Sequence, residues 1–152
     1  MTAAMTQPTK LLVQRQSFLV ASASRRQAID ITPSLRDGIR VAEVRNGVVL
    51  ANCLHTTCSV LIADSGAEAI DDFVRLMGHF IEDGCPYRHN DPRWSDCERG
   101  NAAAHLRASL LGHGVAIGIT ESELALDPSQ SILLAEWDGP RSRTVDIQIL
   151  GA

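Results

Sequence analysis

An α+β fold is predicted for the 152-residue chain: one compact domain of mainly antiparallel or mixed strands with two to three helices. Three observations carry it. Short runs rich in Val, Ile and Leu recur toward both ends, punctuated by turn formers such as Asn46-Gly47 and Asp138-Gly139-Pro140. One segment between them carries apolar residues at helical spacing. The last third reads as consecutive strands joined by short turns, the connection that antiparallel pairing allows.

The elements follow in order. LLVQRQSFLVAS, from Leu11, is β-prone and leads to a short run at Gln27–Ile31. In ITPSLRDGIRVAEVRNG, Thr32 suits a helix cap, Pro33 suits the first helical position, and Asn46-Gly47 ends the segment. GVVLANCLHTTCSVLIA reads as two strands or one long bent strand. The clearest helix runs from Gly66 to about Asp83. Ser65 and Glu68 have the spacing of a capping box. Ile70, Phe73, Val74, Met77 and Ile81 form one stripe, and Gly84 stops it. Residues 84–100, GCPYRHNDPRWSDCERG, have no period; a loop of this length in a small domain is often functional. Asn101 is expected to cap a short helix, AAAHLRASLL, closed by Gly112, with Ala103, Leu106 and Leu110 buried and His105 at the border. VAIGIT, ELALD, SILLAEWDG and RTVDIQIL complete the strands. Residues 1–10 read as a flexible tail and 11–152 as a single domain.

Composition narrows the function. The net charge is -4 and no Lys/Arg cluster stands out, so neither nucleic acid nor an anionic membrane is an expected partner. No apolar run reaches the roughly 20 residues that span a bilayer, and MTAAMTQPTK has no apolar signal core. The expected compartment is the cytoplasm, with Cys53, Cys58, Cys85 and Cys97 reduced.

Chemistry concentrates in two places. His55 falls at a strand end, His89 in the long loop and His105 on the short helix. Three imidazoles plus water make an open metal site, but wide spacing alone does not bring them together, and satisfied or solvent-facing histidines are the bland alternative. His79 and His113 have plainer settings. His55-x-x-Cys58 lacks a CxxC partner, which argues against a closed structural zinc site. In AEWDGPRSR, Arg141 and Arg143 alternate, so an extended chain directs both guanidiniums to one side, toward a phosphate or carboxylate. Glu136 is a candidate to orient one of them, to act as a general base or to bind metal. Asp138 fits either the site or an ordinary hairpin turn.

HTTCSVLIADSGAEAIDDF, YRHND, GNAAAHLRASLLG and SQSILLAEWDGPRSRTVDIQ occur in the order found in the YjbQ family (UPF0047), which the chain resembles from about residue 11 to 150. The resemblance implies a compact α+β fold, a homotrimer and a histidine-lined cleft. It also implies a thiamine-phosphate synthase activity, in which a pyrimidine pyrophosphate joins a thiazole phosphate and pyrophosphate leaves. By position it makes His55, His105 and Glu136 catalytic candidates, with Thr56, Thr57, Asn101, Gln130, Asp138, Arg141 and Arg143 facing substrate. His55, His89 and His105 become the ligands of a divalent metal, Zn or Mg. Three departures bear on the pocket. Ala63-Asp64-Ser65-Gly66 replaces the usual Asn and Glu, Arg107 replaces a Lys, and Ser129 replaces the Trp before Gln130. The expectation is therefore an enzyme acting on a small phosphorylated substrate. A metal-dependent hydrolase of another phosphoester or amide, or a non-catalytic metal- or metabolite-binding trimer, are the alternatives.

Overall fold

The computed structural model describes residues 10–152; the expected tail lies, but for Lys10, outside them. The elements are β1 (Leu12–Ala21), β2 (Gln27–Asp30), α1 (Thr32–Ala42), β3 (Gly47–Cys53), β4 (Cys58–Asp64), α2 (Ala67–Phe80), a 3-10 turn (Arg88–Asn90), α3 (Ala102–Leu111), β5 (Gly114–Thr120), β6 (Glu123–Leu124), β7 (Gln130–Glu136) and β8 (Ser142–Gly151). Their order matches the expected one. All pairings are antiparallel, in a five-stranded sheet β1-β8-β3-β5-β6 and a three-stranded sheet β2-β7-β4.

Strand parity explains the layers. On β8, Val145, Ile147 and Ile149 point inward, and on β7 Ile132 and Leu134 do the same. Together with Val49, Ala51, Ile117 and the α1 residues Leu35 and Ile39 they form the core between the sheets. The opposite parity of β7, Ala135 and then Trp137, meets Met77 of α2 with Ala104 and Ala108 of α3 in a second apolar cluster. Trp137 is fully buried, lies edge-on to Phe73 at 6.0 Å and donates its indole N–H to Ser59 Oγ at 3.1 Å. The long apolar segment is thus two strands, and they belong to different sheets, with the His55–Thr57 turn joining them.

Four local expectations change. Thr32 does not cap α1: its hydroxyl accepts the Ile132 N–H, while Asp30 Oδ1 takes the Thr32 N–H at 2.8 Å. The Ser65–Glu68 box is absent, because Asp64 Oδ1 binds the Gly66 N–H instead. That helix stops at Phe80, and of its stripe only Met77 is buried. On α3 the buried face is Ala102, Ala103, Ala104, Arg107 and Ala108, whereas Leu106 and Leu110 are exposed. A helix lying close on a sheet presents its small side chains inward, and that close packing outranks the hydrophobicity of two leucines.

All four cysteines are free thiols. Among the described residues no helix is long and apolar enough to cross a membrane.

Candidate functional site

The site forms where the two sheets end beside the N-terminus of α3. Glu136 continues the inward parity of β7, and Arg143 that of β8, so they face each other at the edge of the core. Glu136 is fully buried and Arg143 nearly so. Arg143 Nε donates to Glu136 Oε2 and Nη2 to Oε1 at 2.8 Å, a two-pronged pair. Nη2 also donates to Thr57 Oγ1 at 2.9 Å, and the Asp138 N–H reaches Glu136 Oε1 at 2.7 Å. With both oxygens engaged and no exposure, Glu136 orients Arg143 and does not reach open space as a base or metal ligand. The Glu136 carboxylate in turn lifts the Arg143 pKa above its ordinary value.

Arg141 takes a separate partner. Its Nε donates to the Asp138 carbonyl at 3.2 Å, and Nη2 lies 3.6 Å from Asp138 Oδ2. The expectation that Arg141 and Arg143 converge on one anion is therefore corrected: a carboxylate two residues apart holds each guanidinium. Asp138 Oδ2 also accepts from Asn101 Nδ2 at 3.1 Å and from Arg99 Nε at 3.0 Å. Burial pushes the Asp138 pKa up, but the bonds from Asn101 and Arg99 and the charges of Arg99 and Arg141 outweigh it and hold the carboxyl below its usual range. Gly139 lets this turn pack down, since a Cβ there would fall 2.3 Å from the Ser24 carbonyl oxygen.

Asn101 occupies the N-cap position of α3, yet its side chain serves Asp138; the loop residue Asn90 supplies the cap, its Oδ1 accepting the Ala102 N–H at 2.9 Å. One turn along α3, His105 meets His89 edge-to-face, ring centroids 4.9 Å apart. Burial and the neighbouring His89 lower the His105 pKa more than the Thr56 backbone and Asp138 raise it. Tyr87, Arg88, His89, Ala102, His105 and Leu106 line a cavity of about 410 Å³ here.

His55 has a different partner. Its Nε2 accepts the Thr144 N–H at 3.1 Å, which fixes the proton on Nδ1. Burial, then the Arg143 charge, lowers its pKa. Among the described residues no three His, Cys, Asp or Glu side chains gather as a metal site. The residues present do not fit the metal centre expected on His55, His89 and His105, because one imidazole spends its lone pair on a backbone amide. Gln130 is also outside the site. It pairs with Asp64 at the far end of β7 while Glu136 pairs with Cys58, six residues or roughly 20 Å away. Thr57 faces inward to Arg143, and Thr56 is exposed.

Three contributors escape sequence reading. Arg99 sits in an aperiodic loop. Asn90 caps a helix twelve residues ahead of it. His113 braces the His55 turn, its carbonyl accepting the Cys53 N–H at 2.8 Å and its Nδ1 donating to the Cys58 carbonyl at 2.9 Å. Only the position of Asn90 next to His89 offered a signal.

Fold and site together define a two-sheet α+β protein with a carboxylate-anchored arginine cluster beside a histidine-lined cavity. The chain belongs to the YjbQ-like UPF0047 family, whose model matches residues 16–152. It is 36% identical over 129 residues to a UPF0047 protein of Archaeoglobus fulgidus, covering 85% of this chain and 95% of that one. A YbjQ-like protein of unknown function from Sulfolobus solfataricus superposes with a TM-score of 0.87 at 27% identity, over 94% of this chain and all of that one. A YjbQ/UPF0047 protein of Clostridium acetobutylicum gives 0.80 at 27% identity, over 88% and 98%.

Proposed function

We infer that the protein is an enzyme for a small phosphorylated or pyrophosphorylated substrate, of the thiamine-phosphate synthase type. The carrying observation is the shared Asp138: one buried carboxylate holding two guanidiniums, Arg99 and Arg141, at the mouth of the site. This excess of positive charge suits a phosphate, and the cavity beside it, with Leu106, Ala102 and Tyr87 in its walls, suits a flat organic ring. In the reaction the pyrimidine methylene carbon exchanges its bond to pyrophosphate oxygen for one to the thiazole nitrogen, and pyrophosphate leaves with the electron pair. Arginines preorganised by their carboxylates stabilise the charge that grows on the leaving group. His105 and His89 line the pocket as hydrogen-bonding and proton-carrying groups. Incubating the pure protein with the pyrimidine pyrophosphate and the thiazole phosphate, and following thiamine phosphate by chromatography, tests the reading. His105→Ala is expected to lower the rate about a hundredfold; an unchanged rate would remove the role.

The chain also acts as a homotrimer in this reading, and its unpaired thiols fit a reducing cytoplasm. The outward face of the five-stranded sheet supports the assembly: Val13, Leu19 and Leu50 are exposed there, and exposed Leu54 lies beside His55. Sedimentation is expected to give three chain masses for the protein and one for a Leu19→Asp, Leu50→Asp variant. A wild-type monomer would refute the trimer.

A further inference from the structure

We propose that Arg99 is an anion-binding residue of this site, sharing with Arg141 the phosphate that enters beside Asp138. The inference rests on the anion-site reading above and adds to it a residue from the 84–100 loop.

The three arginines near Asp138 are not equivalent. Arg143 is spent: its side chain is 5% exposed and Glu136 neutralises it. Arg99 and Arg141 have one carboxylate between them, which leaves a net positive charge at a place where Asp138 itself is only 5% exposed. Their side chains are 52% and 35% exposed. Arg99 engages Asp138 through Nε, and neither of its terminal nitrogens hydrogen-bonds a described residue. Arg141 spends Nε on the Asp138 carbonyl, and its Nη2 stands beyond hydrogen-bond distance of the carboxylate. Each therefore keeps free donors at the end of its fork, the part that matches phosphate oxygens.

The Arg99–Asp138 pair is also weakly committed. Arg99 is half-exposed, and Arg141 stays beside the buried Asp138 when Arg99 leaves, so trading a carboxylate oxygen for a phosphate oxygen costs little. The same exchange at Arg143 would strip a buried carboxylate of its partner. Asn101 Nδ2 stays on Asp138 Oδ2 throughout, so the carboxylate is not orphaned when Arg99 turns away. The loop around Arg99 carries His89 as well, and so one segment brings both a guanidinium and an imidazole to the pocket.

Calorimetric titration with inorganic pyrophosphate decides the matter, using wild type, Arg99→Gln, Arg99→Lys, Arg141→Gln, Asp138→Asn and the Arg99→Gln, Asp138→Asn double variant. Loss of a charge-assisted bond predicts that Arg99→Gln weakens binding roughly tenfold, with Arg99→Lys in between. The same tenfold loss is expected in the Asp138→Asn background, where Arg99 has no ion-pair partner to position. Melting temperatures of the Arg99 variants should match wild type. A loss seen only when Asp138 is intact would make Arg99 a positioning residue and overturn the proposal. So would equal binding by Arg99→Gln and wild type while Arg141→Gln binds poorly, an outcome that leaves the anion site standing. Wild type that ignores pyrophosphate altogether would take down the anion-site reading, and this inference with it.

Discussion

Arg143→Ala is expected to lower the melting temperature by on the order of 10 °C, measured by circular dichroism. The size follows from what the guanidinium leaves behind. Glu136 is fully buried at the end of the inter-sheet core, and its two oxygens would keep only the Asp138 N–H. Thr57 Oγ1 would lose its donor as well. An uncompensated buried carboxylate costs about 3–5 kcal/mol, far more than any exposed pair on this surface. Exposed pairs such as Arg40–Asp37 serve as the internal contrast, and Arg40→Ala should change the melting temperature by less than about 2 °C. A Glu136→Leu, Arg143→Leu double variant should lose less than the two single variants summed, since it buries no unpaired charge. Equal melting of Arg143→Ala and wild type would mean that the pair does not carry this end of the core. The prediction matters for function because the same pair sets the Asp138 backbone and the Thr57 side chain.

The order of elements along the chain and the loop were readable because each depends on local pattern: period-two apolar runs, turn dipeptides, and a stretch without period. The four motif regions were readable through the resemblance to the family. The partners of the polar groups were not. Asn101 has the right type and place for a cap, but Asp138 engages its Nδ2 and the Cys97 thiol its Oδ1, and Asn90 fills in from the loop. Arg141 and Arg143 do alternate as expected, yet Glu136 and Asp138 alternate too, so each arginine finds its own acid. The histidines illustrate the same limit. His89 and His105 meet because the loop folds over the start of α3, whereas His55 turns to the Thr144 amide of β8. Spacing along a chain cannot rank a backbone N–H against a metal ion for one lone pair. Gln130 failed for a simpler reason: six residues of strand carry it to the other end of the sheet.

Arg107 shows most clearly how packing overrules a helical wheel, and its replacement is the other change expected to have a large effect. Arg107 has no exposed surface, although two leucines of the same helix face outward. Its Nε donates to the Met77 carbonyl at 3.1 Å and its Nη2 to the Ile81 carbonyl, so it satisfies the end of α2 from a different helix. The guanidinium carbon lies 6.0 Å from the Trp137 ring centroid. Nη1 is 3.0 Å from Asp83 Oδ1 but poorly aligned, and it is the only buried side-chain nitrogen or oxygen without a hydrogen bond among the described residues. The two carbonyl bonds, rather than the ion pair, should then dominate. Arg107→Leu is expected to cost about 3 kcal/mol, from two carbonyls left dry and a lost stacking partner. Asp83→Asn should cost less than Arg107→Leu, because Asp83 is partly exposed and the bonds to the two carbonyls remain. Hydrogen exchange would separate this from a general loosening, since the amides of the last turn of α2 should speed up more than those of β7. Arg107→Lys, a single point donor, should recover only part of the loss. If Asp83→Asn proved as damaging as Arg107→Leu, charge pairing would outweigh the carbonyl bonds at this helix end.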